Sequence, residues 1–207
     1  SVVIFTYIVS YNNNKENMIQ MQTDNLYQKA VLCDSYIQSA KQLAYQLSNN
    51  YQIKGFINSL PPSADNTAAA DMYHMYKMLM PYVTTCNYED IWIGFKKSQT
   101  VISSNVVYSD MKVFWREKYQ NIFPVYDEWL EWFFDGKKEG VLLQHSQSGE
   151  EEISLLTYRA NIYTGVQANH SSIFVKFDLD YIQGILENME AERQDCMLIY
   201  EDQYLFE

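Results

Sequence analysis

Glycine is scarce, with seven among 207 residues, and none of the seven builds a phosphate cradle. No P-loop, dinucleotide fingerprint or G-x-S-x-G elbow occurs. Histidine is scarcer: His74, His145 and His170 stand far apart, outside any HExxH or paired metal motif. Cys33, Cys86 and Cys196 are an odd set with no CxxC pair, which argues against a disulfide scaffold and a zinc site. Each reads as a small buried apolar residue. Positive charge is also short. Fifteen Lys and Arg face 26 Asp and Glu, for a net charge of -11. Phosphate binding needs clustered Lys and Arg, so nucleic acid is excluded as a partner. The same deficit argues against docking on an anionic membrane leaflet. With no catalytic signature and no cofactor motif, the chain reads as neither an enzyme nor a holder of cofactor or metal.

Apolar and aromatic residues are plentiful. The chain is 47% hydrophobic and 20% charged, with 18 Tyr, 10 Phe and 4 Trp, enough for one ample core. "SVVIFTYIVSY", residues 1–11, is apolar from its first residue, and no charge occurs before Lys15. A spanning helix needs ~20 apolar residues. The run reads as the end of a membrane helix, which would put the remainder outside the membrane. The alternative is a short buried strand.

From residue 19 to residue 47 the chain keeps a 4-3 spacing: Ile19, Thr23, Leu26, Ala30, Cys33, Ile37, Ala40, Ala44, Leu47. This predicts one long helix with an a/d seam through four heptads. Tyr27, Val31, Leu32, Tyr36 and Leu43 widen the stripe, so one edge can bury on its own domain and another can meet a second copy. "NNYQIKGFINSL" ends that helix and adds a short turn or helix, and "PPSADNTAAAD" is a loop. A second helix follows, with Met72, Met75, Tyr76, Leu79, Met80 and Val83 on its apolar face, and Pro81 is expected to kink or shorten its end.

"EDIWIGFKKSQTVISS", residues 89–104, reads as an antiparallel hairpin turning at Lys97, Ser98 and Gln99. Ile91, Ile93 and Phe95 alternate with Asp90, Trp92 and Gly94. An irregular aromatic region, residues 106–136, contains a short helix in "PVYDEWLEWFFDGK" capped by Gly136. A meander follows: "VLLQHS", the solvated acidic turn "QSGEEE", "ISLLTYRANIY", then "SSIFVKFDLD". The helix "DYIQGILENMEAE" closes the unit, and "CMLIYEDQYLF" opens another hairpin. The "NHS" sequon at residues 169–171 is read as a chance match. Five strands joined by turns give an antiparallel sheet that the long helix can cover, an α+β fold.

The heptad helix after an apolar run, "YEDIWIGFKKSQTVISS", and "IFVKFDLDYIQGILENM" before "LIYEDQYLFE" together resemble the extracytoplasmic Cache sensor domains of bacterial receptors. The likeness is nearest to the double-Cache sensors of Firmicute-type histidine kinases and membrane-bound AraC-type regulators. It implies a PAS-like domain with a long N-terminal helix packed on a five-stranded antiparallel sheet, and a cell-membrane protein of a Gram-positive bacterium. Residues 1–11 would end a transmembrane helix. Residues 12–190 would form a membrane-distal, ligand-holding module, and residues 191–207 would begin a membrane-proximal one. Such receptors signal as homodimers, which implies a seam along the helix over residues 19–47.

The resemblance also implies a small-molecule ligand: an amino acid, a sugar or a carboxylate. A PAS-like sheet binds on the face covered by the irregular segment after its hairpin. The amino-acid-binding branch uses an Arg-x-Trp-Tyr element and a later Asp on the last strand. Asp178 matches that Asp in place; "REKY" supplies Arg116 and Tyr119, with Lys118 where Trp is expected. The candidate ligand residues are therefore Trp115, Arg116, Tyr119, Tyr158 and Asp178. Arg would pair with a carboxylate and Asp with an ammonium. Alternation puts Thr157 and Arg159 on the face of their strand opposite Leu156 and Tyr158. A structural or protein-interaction ectodomain without a small ligand is the second reading.

Overall fold

The structure is a computed structural model that describes residues 2–59, 68–136, 139–148, 151–164, 171–187, 198–200 and 203–206. The loop expected at Pro61, the tip of the acidic turn, Asn169, His170 and Cys196 lie outside the described residues.

One helix, α1 (Val2–Asn49), carries the heptad pattern without a break and takes in the N-terminal run, which is helix rather than strand. Among the described residues no helix is long and apolar enough to cross a membrane. Asn50 separates α1 from α2 (Tyr51–Ser59): its Oδ1 accepts the Gln52 N–H at 2.8 Å and the Ile53 N–H at 3.3 Å, a side-chain cap. The helix α3 (Ala68–Cys86) runs five residues past Pro81. The proline is exposed and faces away from the packed stripe of Met72, Met75 and Leu79. The solvent side therefore absorbs its missing N–H, and the helix does not end.

The sheet has six strands in the order β3-β2-β1-β6-β5-β4, all neighbours antiparallel. They are β1 (Tyr88–Phe95), β2 (Thr100–Ser103), β3 (Val107–Tyr108), β4 (Gly140–Ser148), β5 (Glu151–Ile162) and β6 (Ser171–Phe177). The sixth strand beyond the expected five is β3, two residues long and hidden in the aromatic stretch. The hairpin turns at Lys96 to Gln99, with Gln99 in the left-handed region at φ 55°. The acidic turn is shorter than expected, because Ser148 pairs with Glu151. Helix α6 (Leu179–Glu187) follows β6. The last strands, β7 (Leu198–Tyr200) and β8 (Gln203–Phe206), pair with each other in a separate two-stranded sheet.

Two apolar layers flank the main sheet. On one side Ile91, Ile93, Phe95, Tyr158, Ala160, Ile173, Val175 and Phe177 meet α1, α2, α3 and α6. On the other Trp92, Val101, Leu155 and Phe174 meet α4 (Met111–Lys118) and α5 (Tyr126–Phe133). The central strands β1, β2 and β6 thus bury both faces, which is why they read as near-continuous apolar runs. Along α1, Cys33, Tyr36, Ile37, Ala40, Leu43, Ala44 and Leu47 are buried, whereas Ile19 and Leu26 stay 51% and 49% exposed. The C-terminal half of the expected seam is therefore internal, with Ala40 and Ala44 bringing the helix close to the sheet. Only the N-terminal half is left uncovered.

Candidate functional site

The aromatic layer is built by two short helices that the sheet alone cannot position. Asp110 accepts the Lys112 N–H at 2.8 Å and starts α4. At its end the Tyr119 N–H returns to the Trp115 carbonyl at 2.8 Å. Trp115 Nε1 then donates to the Phe123 carbonyl at 2.9 Å, fixing the link to α5. In α5 the i, i+4 pair Trp129 and Phe133 points at the sheet. Phe133 stacks on Phe174 with centroids 4.4 Å apart, over Gly94 of β1. A Cβ at position 94 would lie 2.2 Å from Phe133 Cε1, so only glycine lets this ring reach the strand.

Polar groups are embedded in this layer. One row across the sheet runs Arg159, Phe174, Trp92, Ser103 from β5 to β2. Arg159 is fully buried. Its Nη1 donates to the Trp132 carbonyl at 2.6 Å, and its guanidinium lies 5.9 Å from the Trp132 ring centroid. Burial lowers its pKa, while the Asp135 and Glu139 carboxylates act to raise it. Asp90 is a buried carboxylate on the same face. It accepts Trp92 Nε1 at 2.6 Å, Ser103 Oγ at 2.8 Å, the Ile91 N–H at 2.8 Å and the Ser104 hydroxyl. All these donors are neutral, so its charge meets no cation among them.

Tyr119 stands between these two charges. Its ring packs on Trp92, Trp129 and Trp132 at 5.6 to 5.7 Å. Burial pushes its hydroxyl pKa well above the ordinary value; Asp90 raises it further and Arg159 opposes the rise. The Tyr119 hydroxyl, Trp129 Nε1 and Thr157 Oγ1 are buried and find no hydrogen-bond partner among the described residues. Buried polar atoms are usually satisfied. Three orphans beside a buried guanidinium are groups that a small polar ligand can satisfy.

The five residues singled out from the sequence do not converge. Tyr119 lies at the centre of the aromatic layer, and Trp115 is half-buried at its margin. Arg116 is exposed on the outer side of α4. Tyr158 belongs to the opposite layer, against α1, because strand alternation sends it there when it sends Arg159 to the aromatic side. Asp178 lies past the end of β6. Its Oδ1 accepts the Tyr181 N–H at 3.1 Å, starting α6, and its own N–H donates to Tyr36 of α1 at 3.3 Å. The sequence reading set Thr157 and Arg159 on one strand face and Asp90 in the hairpin without making any of them a candidate ligand residue. A charged residue inside an apolar strand, as in "LLTYRANI", was the available signal. Among the described residues, no cluster of His, Cys, Asp or Glu is placed to hold a metal.

No known family profile matches the chain, and no curated protein matches it. Solved structures do. The ligand-binding domain of the Campylobacter jejuni chemoreceptor Tlp3, in complex with L-valine, is similar at 13% identity and a TM-score of 0.52. That match covers 84% of this chain and 65% of the other. The sensor domain of the Vibrio cholerae histidine kinase DctB is similar at 12% identity and a TM-score of 0.52, covering 84% and 60%. The extracellular domain of the putative histidine kinase vpHK1S-Z8 is similar at 11% identity and a TM-score of 0.54, covering 84% and 62%. The chain thus spans slightly under two thirds of the length of these structures, and the likeness is one of fold.

Proposed function

We propose that this chain, which has the fold of Cache-like extracytoplasmic sensor domains, is the ligand-sensing part of a bacterial transmembrane receptor. It binds a small polar metabolite and passes the signal on through α1 and the C-terminal segment. The observation that carries the reading is the buried polar set Arg159, Thr157, Tyr119 and Trp129 on the sheet face covered by α4 and α5. A guanidinium pairs bidentately with a carboxylate. Asp90 supplies the opposite charge on the same face. A ligand that carries a carboxylate, as an amino acid does, suits that guanidinium best. In this reading Tyr119 and Trp115 remain proposed ligand residues, and Arg159 and Asp90 are proposed beside them in place of Arg116 and Asp178.

Residues 1–11 as the end of a membrane helix, residues 191–207 as the start of a second module, and a homodimer along the uncovered half of α1 belong to the same proposal. The separate β7–β8 sheet supports the second module, and the exposed Ile19, Leu26, Val31 and Leu32 support the homodimer. The second reading, a ligand-free interaction ectodomain, is favoured by the dense contact of Phe133 with Gly94 and Phe174.

A thermal-shift screen of amino acids, sugars and carboxylates tests the proposal. The expected result is a saturable rise in melting temperature with an amino acid, diminished in Tyr119→Phe. That variant removes only an unpartnered hydroxyl, so its own melting temperature stays the same or rises. A hit that survives Tyr119→Phe and Asp90→Asn undiminished places the ligand elsewhere, and no hit from any class favours the interaction ectodomain.

A further inference from the structure

The opposite face of the sheet carries a second opening. A groove of about 780 Å³ runs between the outer side of α1 and the end of β5, within the usual range of small-molecule sites. Lys41, Lys54 and Glu139 also line it, and its wall on α1 includes Gln38, Gln42 and Gln46. Their i, i+4, i+8 spacing stacks three side-chain amides on one line of the helix. The facing wall is β5, with Tyr158, Ala160 and Asn161. Ala160 is the short side chain between Tyr158 and Ile162 on that face, and it leaves the floor open.

The opening exists because β4 starts late. Its first residue, Gly140, pairs with Arg159, so the last residues of β5 have β6 on one side and no strand on the other. The Glu139 carboxylate takes the Asn161 N–H at 3.1 Å in place of a strand. Two tyrosine rings, Tyr45 from α1 and Tyr163 beyond β5, flank the mouth at 70% and 62% exposure. Large exposed rings beside a row of planar amides leave apolar surface and hydrogen-bonding groups facing one ligand together.

We infer that this groove is a binding site for a short saccharide, distinct from the amino-acid site proposed on the aromatic face. Sugar rings present flat C–H surfaces, which Tyr45 and Tyr163 match. They also present rows of hydroxyls that both donate and accept, as Gln42 and Gln46 do, whereas the Asn161 amide is already engaged with Gly136 and Ser172. Its charged lining residues, Lys41, Lys54 and Glu139, are not fully buried as Arg159 is, so solvent screens them. Because the two walls are α1 and β5, an occupant bridges the long helix to the sheet and biases their relative position.

Proton–nitrogen correlation spectra of the 207-residue chain, titrated with maltose, cellobiose and N,N′-diacetylchitobiose, test this. The expected result is a saturable shift of the Gln38, Gln42 and Gln46 side-chain amides with at least one disaccharide, while the Trp129 indole signal stays put. Tyr163→Ala and Gln42→Ala, both at exposed positions, then weaken binding by about tenfold each. Three outcomes overturn the inference: no saturable shift at about 10 mM of any sugar, shifts centred on the Trp129 indole, or binding unchanged in both variants. The amino-acid proposal is read separately, from the response of the Trp129 indole to amino acids.

Discussion

At the scale of single residues, the close approach at Gly94 and the buried hydroxyls are the most exacting features. Phe133 is fully buried among Phe114, Trp129 and Phe174, so it cannot swing away from a new methyl group. Gly94→Ala is expected to cost about 1–3 kcal/mol of stability, read by denaturant unfolding. The tyrosines give a pH dependence. Burial pushes Tyr88 up to about 12, against a hydrogen bond with Ser39 that lowers it. Tyr119 and Tyr36 are raised for the same first reason. A group whose folded pKa lies above its unfolded value stabilises the fold fully below the unfolded pKa, ~10 for tyrosine. That contribution is lost as pH rises through the folded value. Stability is therefore expected to fall between about pH 10 and 12. Tyrosinate absorbance from these three rings should appear together with loss of the circular dichroism signal, not before it. The alternation in "IWIGF" already separated Trp92 and Gly94 from Ile91 and Ile93. The ring that would sit on Gly94 was not legible, because Phe133 comes from an element 39 positions away.

At the scale of elements, α1 has two halves with different tasks. Ala40 and Ala44 are completely buried against the sheet, whereas Leu26 and Tyr27 face solvent. Ala44→Glu places an unpaired charge in the core and is expected to cost several kcal/mol. Leu26→Glu should leave the stability of the single chain within about 0.5 kcal/mol. Sedimentation of the two proteins then reads the proposed homodimer, which Leu26→Glu disrupts and the wild type keeps. Asp110→Ala removes the cap of α4 and is expected to cost about 1 kcal/mol. The same change loosens the platform that holds Tyr119, so any ligand-induced thermal shift should shrink. The heptad period made α1 readable from residue 19 to residue 47, and the helix of "YDEWLEWF" was readable too. In contrast, "MKVFWREK" passed as irregular, because eight residues give two turns and little periodicity to detect.

At the scale of the whole molecule, the sheet separates two chemistries: a charged aromatic layer under α4 and α5, and an amide-lined groove beside α1. The β7–β8 pair forms its own small sheet. A chain ending at residue 190 is expected to keep the melting temperature of the full chain within a few degrees, measured by calorimetry; a large drop would join residues 191–207 to the main fold. Much of this arrangement was set by sequence alone. The long helix, the opening hairpin, the antiparallel meander and the α+β class follow from periods of 3.5 and 2 and from turn residues, which act over short distances along the chain. Alternation along β5 likewise set Tyr158 and Arg159 on opposite faces. Which of those faces would meet α1 and which would meet the aromatic helices was decided only in three dimensions. Both faces of each strand are apolar enough to be buried, and a period of two carries no sign. Docking of α1 through Ala40 and Ala44 took one face, so Tyr158 went to the helix side and Arg159 to the aromatic side.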